Sequence, residues 1–226
     1  MENANNPKIN FQDDTGINGF FVKNRKGIFT CAVIFAILIV GTIVAICVLD
    51  AINKKSIKSL EAFIERYQDL TNDFSNEENE DVKKLITELE TFGEKTFGYP
   101  AARAFLMAGD IEKEQKKWSE AEAAWLKAAK KGEKTHIAPV ALYNAGVAAW
   151  EQDKASSAIE YYTKAAAYPD FSAAAHAQFA IGLINEEQKD KDAALNTYRE
   201  LLSKWPNDTT WTDFAQNRIL ELELNK

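Results

Sequence analysis

The sequence predicts an all-α chain, with one N-terminal transmembrane helix followed by an α-solenoid of helical hairpins. Two observations carry the prediction. Residues Ile28 to Leu49 (IFTCAVIFAILIVGTIVAICVL) contain no charge and no proline. Beyond Pro100 a pattern of glycine, alanine and aromatic returns three times at nearly constant spacing.

The apolar run comes first. Its 22 residues make a helix of about 33 Å, enough to cross a hydrocarbon core of about 30 Å with slight tilt. A cleaved signal peptide has a core of roughly 7–15 residues that ends at small residues. This run is longer and leaves through Ile46, Cys47, Val48 and Leu49 into Asp50. An uncleaved anchor is therefore expected over 28–49, with residues 1–27 as a short cytoplasmic tail. Val44-Ala45-Ile46-Cys47 faintly resembles a lipoprotein signal, but Ile46 stands where a small residue is expected.

Charge fixes the orientation only weakly. Lys8, Lys23, Arg25 and Lys26 precede the run, and Lys54, Lys55, Lys58 and Arg66 follow it, a tie under the positive-inside rule. Lys23, Arg25 and Lys26 crowd against its start while Asp50 sits at its end. That asymmetry favours an N-terminus inside and a C-terminal domain outside.

The formal net charge is −7. The tail carries +1 and Asp50 cancels it, so residues 51–226 also sum to −7. So acidic a domain is a poor nucleic-acid binder, because phosphate contacts need a basic face. Protein partners are expected instead. The only cysteines, Cys31 and Cys47, lie inside the apolar run, which leaves the domain beyond it without a disulfide or a cysteine metal site.

Residues 50–99 read as a helical hairpin. Ile57, Leu60, Ile64 and Tyr67 recur at three and four, as do Val82, Leu85, Ile86 and Leu89, giving one buried face on each helix. The stretch from Thr71 to Glu78 breaks them, with Ser75 and Glu78 placed as a capping box. Gly93, Gly98 and Pro100 are expected to close the second helix.

Residues 100–208 then read as three repeats. Gly109, Gly146 and Gly182 each precede an alanine by 12 residues (Ala121, Ala158, Ala194), and each alanine precedes an aromatic by four (Trp125, Tyr162, Tyr198). Pro169 and Pro206 close the second and third copies. This is the tetratricopeptide pattern of paired antiparallel helices. Where the two helices cross, their backbones approach so closely that only Gly or Ala fits, and the aromatic fills the space beside the crossing. The glycines lie 37 and 36 residues apart, slightly more than the usual period of about 34. The surplus is assigned to turns such as Lys131-Gly132-Glu133-Lys134 and Tyr168-Pro169-Asp170. A last stripe over 209–226, namely Trp211, Phe214, Ala215, Ile219 and Leu222, reads as a capping helix.

In this architecture partners meet the concave face, lined by the first helix of each repeat. The positions that fall there are Arg103, Leu106, Asp110 and Lys113, then Val140, Tyr143, Val147 and Trp150, then His176, Phe179, Leu183 and Glu186. Its centre is apolar and aromatic, suited to an amphipathic helix or an extended apolar segment. The expected cationic and amide positions of a carboxylate clamp hold Leu, Tyr, Phe and Val. The alternative is that Tyr143, Trp150 and Phe179 pack against the N-terminal hairpin or neighbouring helices. No catalytic motif, phosphate loop, metal-ligand spacing or cofactor site is legible, and His136 and His176 have no second ligand at suitable spacing. Asn207-Asp208-Thr209 matches a glycosylation acceptor.

The order of parts resembles the bacterial ancillary subunit of the SecYEG translocon. A polar tail, one anchor, a hairpin, the segment from Thr96 to Leu106 (TFGYPAARAFL) and divergent tetratricopeptide repeats carry the resemblance. It implies a single-pass inner-membrane protein with periplasmic repeats. Its partners would be translocon subunits, a periplasmic chaperone or foldase, and emerging polypeptide segments. The tail, rich in Asn and Phe, and the aromatic groove depart from the pattern. The alternative function is a structural scaffold for envelope-assembly or division complexes.

Overall fold

The computed structural model describes residues 17–224, with side chains from residue 20 onward except 21–22. The described residues are all-helical: α1 Ile17–Asp69, α2 Glu80–Lys95, α3 Gly98–Glu114, α4 Trp118–Lys131, α5 Ile137–Glu151, α6 Ala155–Ala166, α7 Ala174–Glu187, α8 Lys191–Lys204 and α9 Thr209–Leu224. Contacts divide the chain into two units, Met1–Ile52 and Asn53–Lys226.

In the first unit, α1 exposes Phe29, Ile34, Phe35, Ile37, Leu38 and Ile43 among others. It is long and apolar enough to cross a membrane, and none of its most apolar window is buried against protein. So much bare apolar surface is costly in water and natural in hydrocarbon, which makes the helix compatible with a single-pass anchor. Most of the tail assigned to residues 1–27 lies outside the described residues, and its last part, from Ile17, is already helical. No new helix starts at Asp50; α1 continues to Asp69, with no glycine or proline between Leu49 and Arg66 to break it.

The second unit is a stack of antiparallel helices, each packed on the next in sequence. Leu60 of α1 joins Val82, Leu85 and Leu89 of α2 against Ala104, Met107, Ala108 and Ile111 of α3. The hairpin thus adds a layer to the stack beside α3. Ile57, expected on the buried stripe, is instead exposed. Two local expectations are also corrected. The α2 N-cap is Asn79, whose side chain accepts from the backbone N–H of Asp81 and Val82, so Ser75 and Glu78 form no capping box there. Gly93 does not end α2 but lies buried within it, and a methyl built there would sit 2.6 Å from the Phe105 ring. It is a close-packing glycine like those of the repeats.

In the repeats, the glycine and aromatic of each copy meet face to face. A methyl on Gly109 would come within 2.7 Å of Trp125, and one on Gly146 within 2.8 Å of Tyr162. Gly182 meets Tyr198 in the same way. Ala121, Ala158 and Ala194 are fully buried beside them. This close approach requires glycine because the helix backbone itself forms the wall against which the ring lies.

The turn inside each repeat is set by one left-handed residue, Lys116 (φ 58°), Asp153 (φ 59°) and Lys189 (φ 61°). They too are spaced by 37 and 36 residues. An L-residue with a Cβ is strained there, and glycine is not. Lys116→Gly and Lys189→Gly are each expected to stabilise the fold by about 0.5–1 kcal/mol, with a smaller gain at Asp153 because Asp tolerates this region. Thermal melts of the three variants check that order.

Candidate partner-binding groove

The first helix of each repeat, α3, α5 and α7, carries the positions assigned to the groove. Val140, Tyr143, Val147 and Trp150 on α5 and His176, Phe179 and Leu183 on α7 are all half-buried. They rest on the core beneath and keep a free outer surface. Leu106, which the repeat register placed in the groove, is only 4% exposed and belongs to the core with Phe105, Trp125 and Leu142. That expectation is corrected: Leu106 packs into the core between α3, α4 and α5 and leaves little surface for a partner. Asp110, also expected in the groove, accepts a hydrogen bond from Trp125 Nε1 at 3.1 Å. Burial pushes its carboxyl above the usual range.

Where α5 meets α7, the Tyr143 hydroxyl and His176 Nδ1 share a hydrogen bond at 2.9 Å. Tyr143 also stands edge-on to Tyr162, with ring centroids 5.3 Å apart. Burial lowers the His176 pKa, so the imidazole is neutral at neutral pH. Its ring stacks on Trp211 at 3.9 Å and an interplanar angle of 10°.

That stacking involves α9. Trp211 and Phe214 lie 5.3 Å and 6.0 Å from the Phe179 ring, while Ala215 packs with Ala194, Tyr198 and Leu201 of α8. The helix read as a cap therefore covers the last repeat and also extends the aromatic face. The signal was present in the sequence: Val140, His176 and Trp211 are spaced 36 and 35 apart, as are Tyr143, Phe179 and Phe214. It was hidden because α9 has no glycine at the crossing.

At the far end of these helices the face turns polar. Trp150 Nε1 donates to Glu187 Oε2 at 2.7 Å. Glu186 accepts from Tyr198 OH at 2.5 Å and pairs with Arg218. Burial pushes the Glu186 carboxyl up, but the Arg218 and Tyr198 hydrogen bonds outweigh it and hold it below its ordinary value. Glu186 is thus a tie between α7, α8 and α9, not a free groove residue. At the opposite end, an open pocket of about 540 Å³ lies between the inter-repeat turns, lined by Lys134, His136, Pro139, Val140, Tyr168 and Phe171 among others. Among the described residues no cluster of His, Cys, Asp and Glu could hold a metal ion.

The face is apolar in the middle and polar at both ends. A tetratricopeptide repeat family model matches residues 106–170 and again 143–209. The solenoid is built from tetratricopeptide repeats. The chain is also similar to a TPR repeat-containing protein of Treponema pallidum (strain Nichols), 26% identical over 142 residues, covering 62% of this chain and 59% of that protein. The chain thus spans less than two thirds of that relative's length. Tetratricopeptide repeats are protein-interaction repeats, and this solenoid is a protein-interaction module.

Proposed function

We propose that the chain is a membrane-anchored adaptor of the bacterial cell envelope, associated with the protein-export translocon. Its repeats receive emerging segments or recruit a periplasmic chaperone or foldase. The observation that carries the reading is the half-buried aromatic face of α5 and α7, placed behind a helix able to span a membrane. The N-terminal tail is cytoplasmic and the solenoid periplasmic, with the apolar run in the inner membrane. The likeness in order of parts to the ancillary SecYEG subunit supports this assignment.

Mild cross-linking in membranes followed by affinity capture is expected to recover translocon subunits. Protease added to intact spheroplasts is expected to remove the solenoid. Protection from protease reverses the topology, and capture without translocon subunits refutes the adaptor role.

A further inference from the structure

The first helices of the three repeats all end on glutamate: α3 at Glu114, α5 at Glu151 and α7 at Glu187. These residues lie 37 and 36 positions apart, like the glycines. A carboxylate in the last turn faces the negative end of the helix dipole, which costs about 0.3–1 kcal/mol. Glu114 and Glu187 recover part of that cost through Lys113 and the Trp150 indole, and the repeated placement leaves carboxylates at the end of the aromatic face.

The two helices that form the aromatic face carry their glutamates on that same face. Tyr143, Val147 and Glu151 follow one another at intervals of four, and so do Phe179, Leu183 and Glu187; residues four apart share one side of a helix. Glu114 is already paired with Lys113 at 2.8 Å. Among the described residues, neither Glu151 nor Glu187 is in an ion pair, and both are exposed. The Trp150 indole, hydrogen-bonded to Glu187, adds a ring that attracts cations.

We infer that this groove takes an amphipathic helix of a partner protein, apolar on the face that meets Tyr143, Val147, Phe179 and Leu183 and basic along the edge that meets Glu151 and Glu187. The inference rests on the reading of the solenoid as the partner-binding part. A helix presents an apolar stripe and a basic edge beside it at once, with residues seven apart returning to one edge, whereas a strand sends successive side chains to opposite faces.

The test uses the full chain in nanodiscs of zwitterionic lipid, with two fluorescent helical peptides as probes. One has a leucine face and lysines every seventh position; the other replaces each lysine by glutamate. Anisotropy is expected to show the lysine peptide binding at least about tenfold more tightly, with the preference shrinking as salt is raised. The double variant Glu151→Gln, Glu187→Gln is expected to lose about that factor for the lysine peptide alone, with an unchanged melting temperature. Equal affinity for the two peptides, no binding of either, or an unaltered double variant overturns the inference. The envelope adaptor reading stands or falls separately, on the cross-linked subunits.

Discussion

Trp125→Ala is expected to lower the free energy of unfolding by about 4 kcal/mol, the usual range for emptying a fully buried large aromatic site being roughly 3–5 kcal/mol. Trp125 is 1% exposed and sits at the centre of the first repeat's core. Its loss also strips Asp110 of its indole donor, leaving a half-buried carboxylate short of a hydrogen bond. The mechanism can be separated from generic cavity formation by a cycle with Gly109. Gly109→Ala alone drives a methyl to 2.7 Å from the indole and should cost roughly 1–3 kcal/mol through overpacking. In the Trp125→Ala background that clash is gone. The double variant is therefore expected to be more stable than the sum of the single effects predicts, which denaturant titration measures directly. Strict additivity would mean that the ring does not require glycine.

The second large effect is a pH dependence centred on Glu112. This α3 residue is 7% exposed, and its Oε2 has no hydrogen-bond partner among the described residues. Burial pushes its carboxyl up to about 7, helped by Glu90 from α2 and Glu120 from α4, while Lys117 and Lys127 act in the opposite direction. In the unfolded chain the same group titrates near 4.5. Between these values the folded state holds a proton that the unfolded state has lost. The resulting stabilisation is fully present below about 4.5 and disappears as pH rises through about 7. The difference is worth up to about 3 kcal/mol. Thermal unfolding is expected at higher temperature near pH 5.5 than near pH 8 on account of this group. Glu112→Gln, which keeps the shape and removes the charge, should flatten that slope and raise stability at the alkaline end. Parallel slopes for the two proteins would show that Glu112 is ionised and accommodated.

The repeats were legible because they depend on short-range spacing. A glycine, an alanine 12 residues later and an aromatic four beyond it encode one crossing of two helices, and the crossing is what the structure shows at Trp125, Tyr162 and Tyr198. The groove was read from the same register, and of its twelve positions all but Leu106 are half-buried. Leu106 failed because it packs into the core with Ile137, Ala141 and Leu142 of α5, a contact with the next repeat that lies outside its own. Asn79 was missed as a cap for a related reason: the stretch from Thr71 to Asn79 offers several capping residues, and only the folded backbone selects one. Gly93 looked like a helix terminator because glycine usually is one, whereas here it yields to the Phe105 ring.

By itself the sequence determined that the chain is helical, that one helix is apolar enough for a membrane, and that the rest is a solenoid of repeats. Those properties follow from periodicity and residue size, which act over a few turns. Only the tertiary structure decided which side chains keep a free surface. It buried Leu106, tied Glu186 to Arg218, laid Trp211 over His176 and left Glu151 and Glu187 exposed. Exposure is a property of the neighbours that arrive from other helices, and no local pattern specifies how closely they approach.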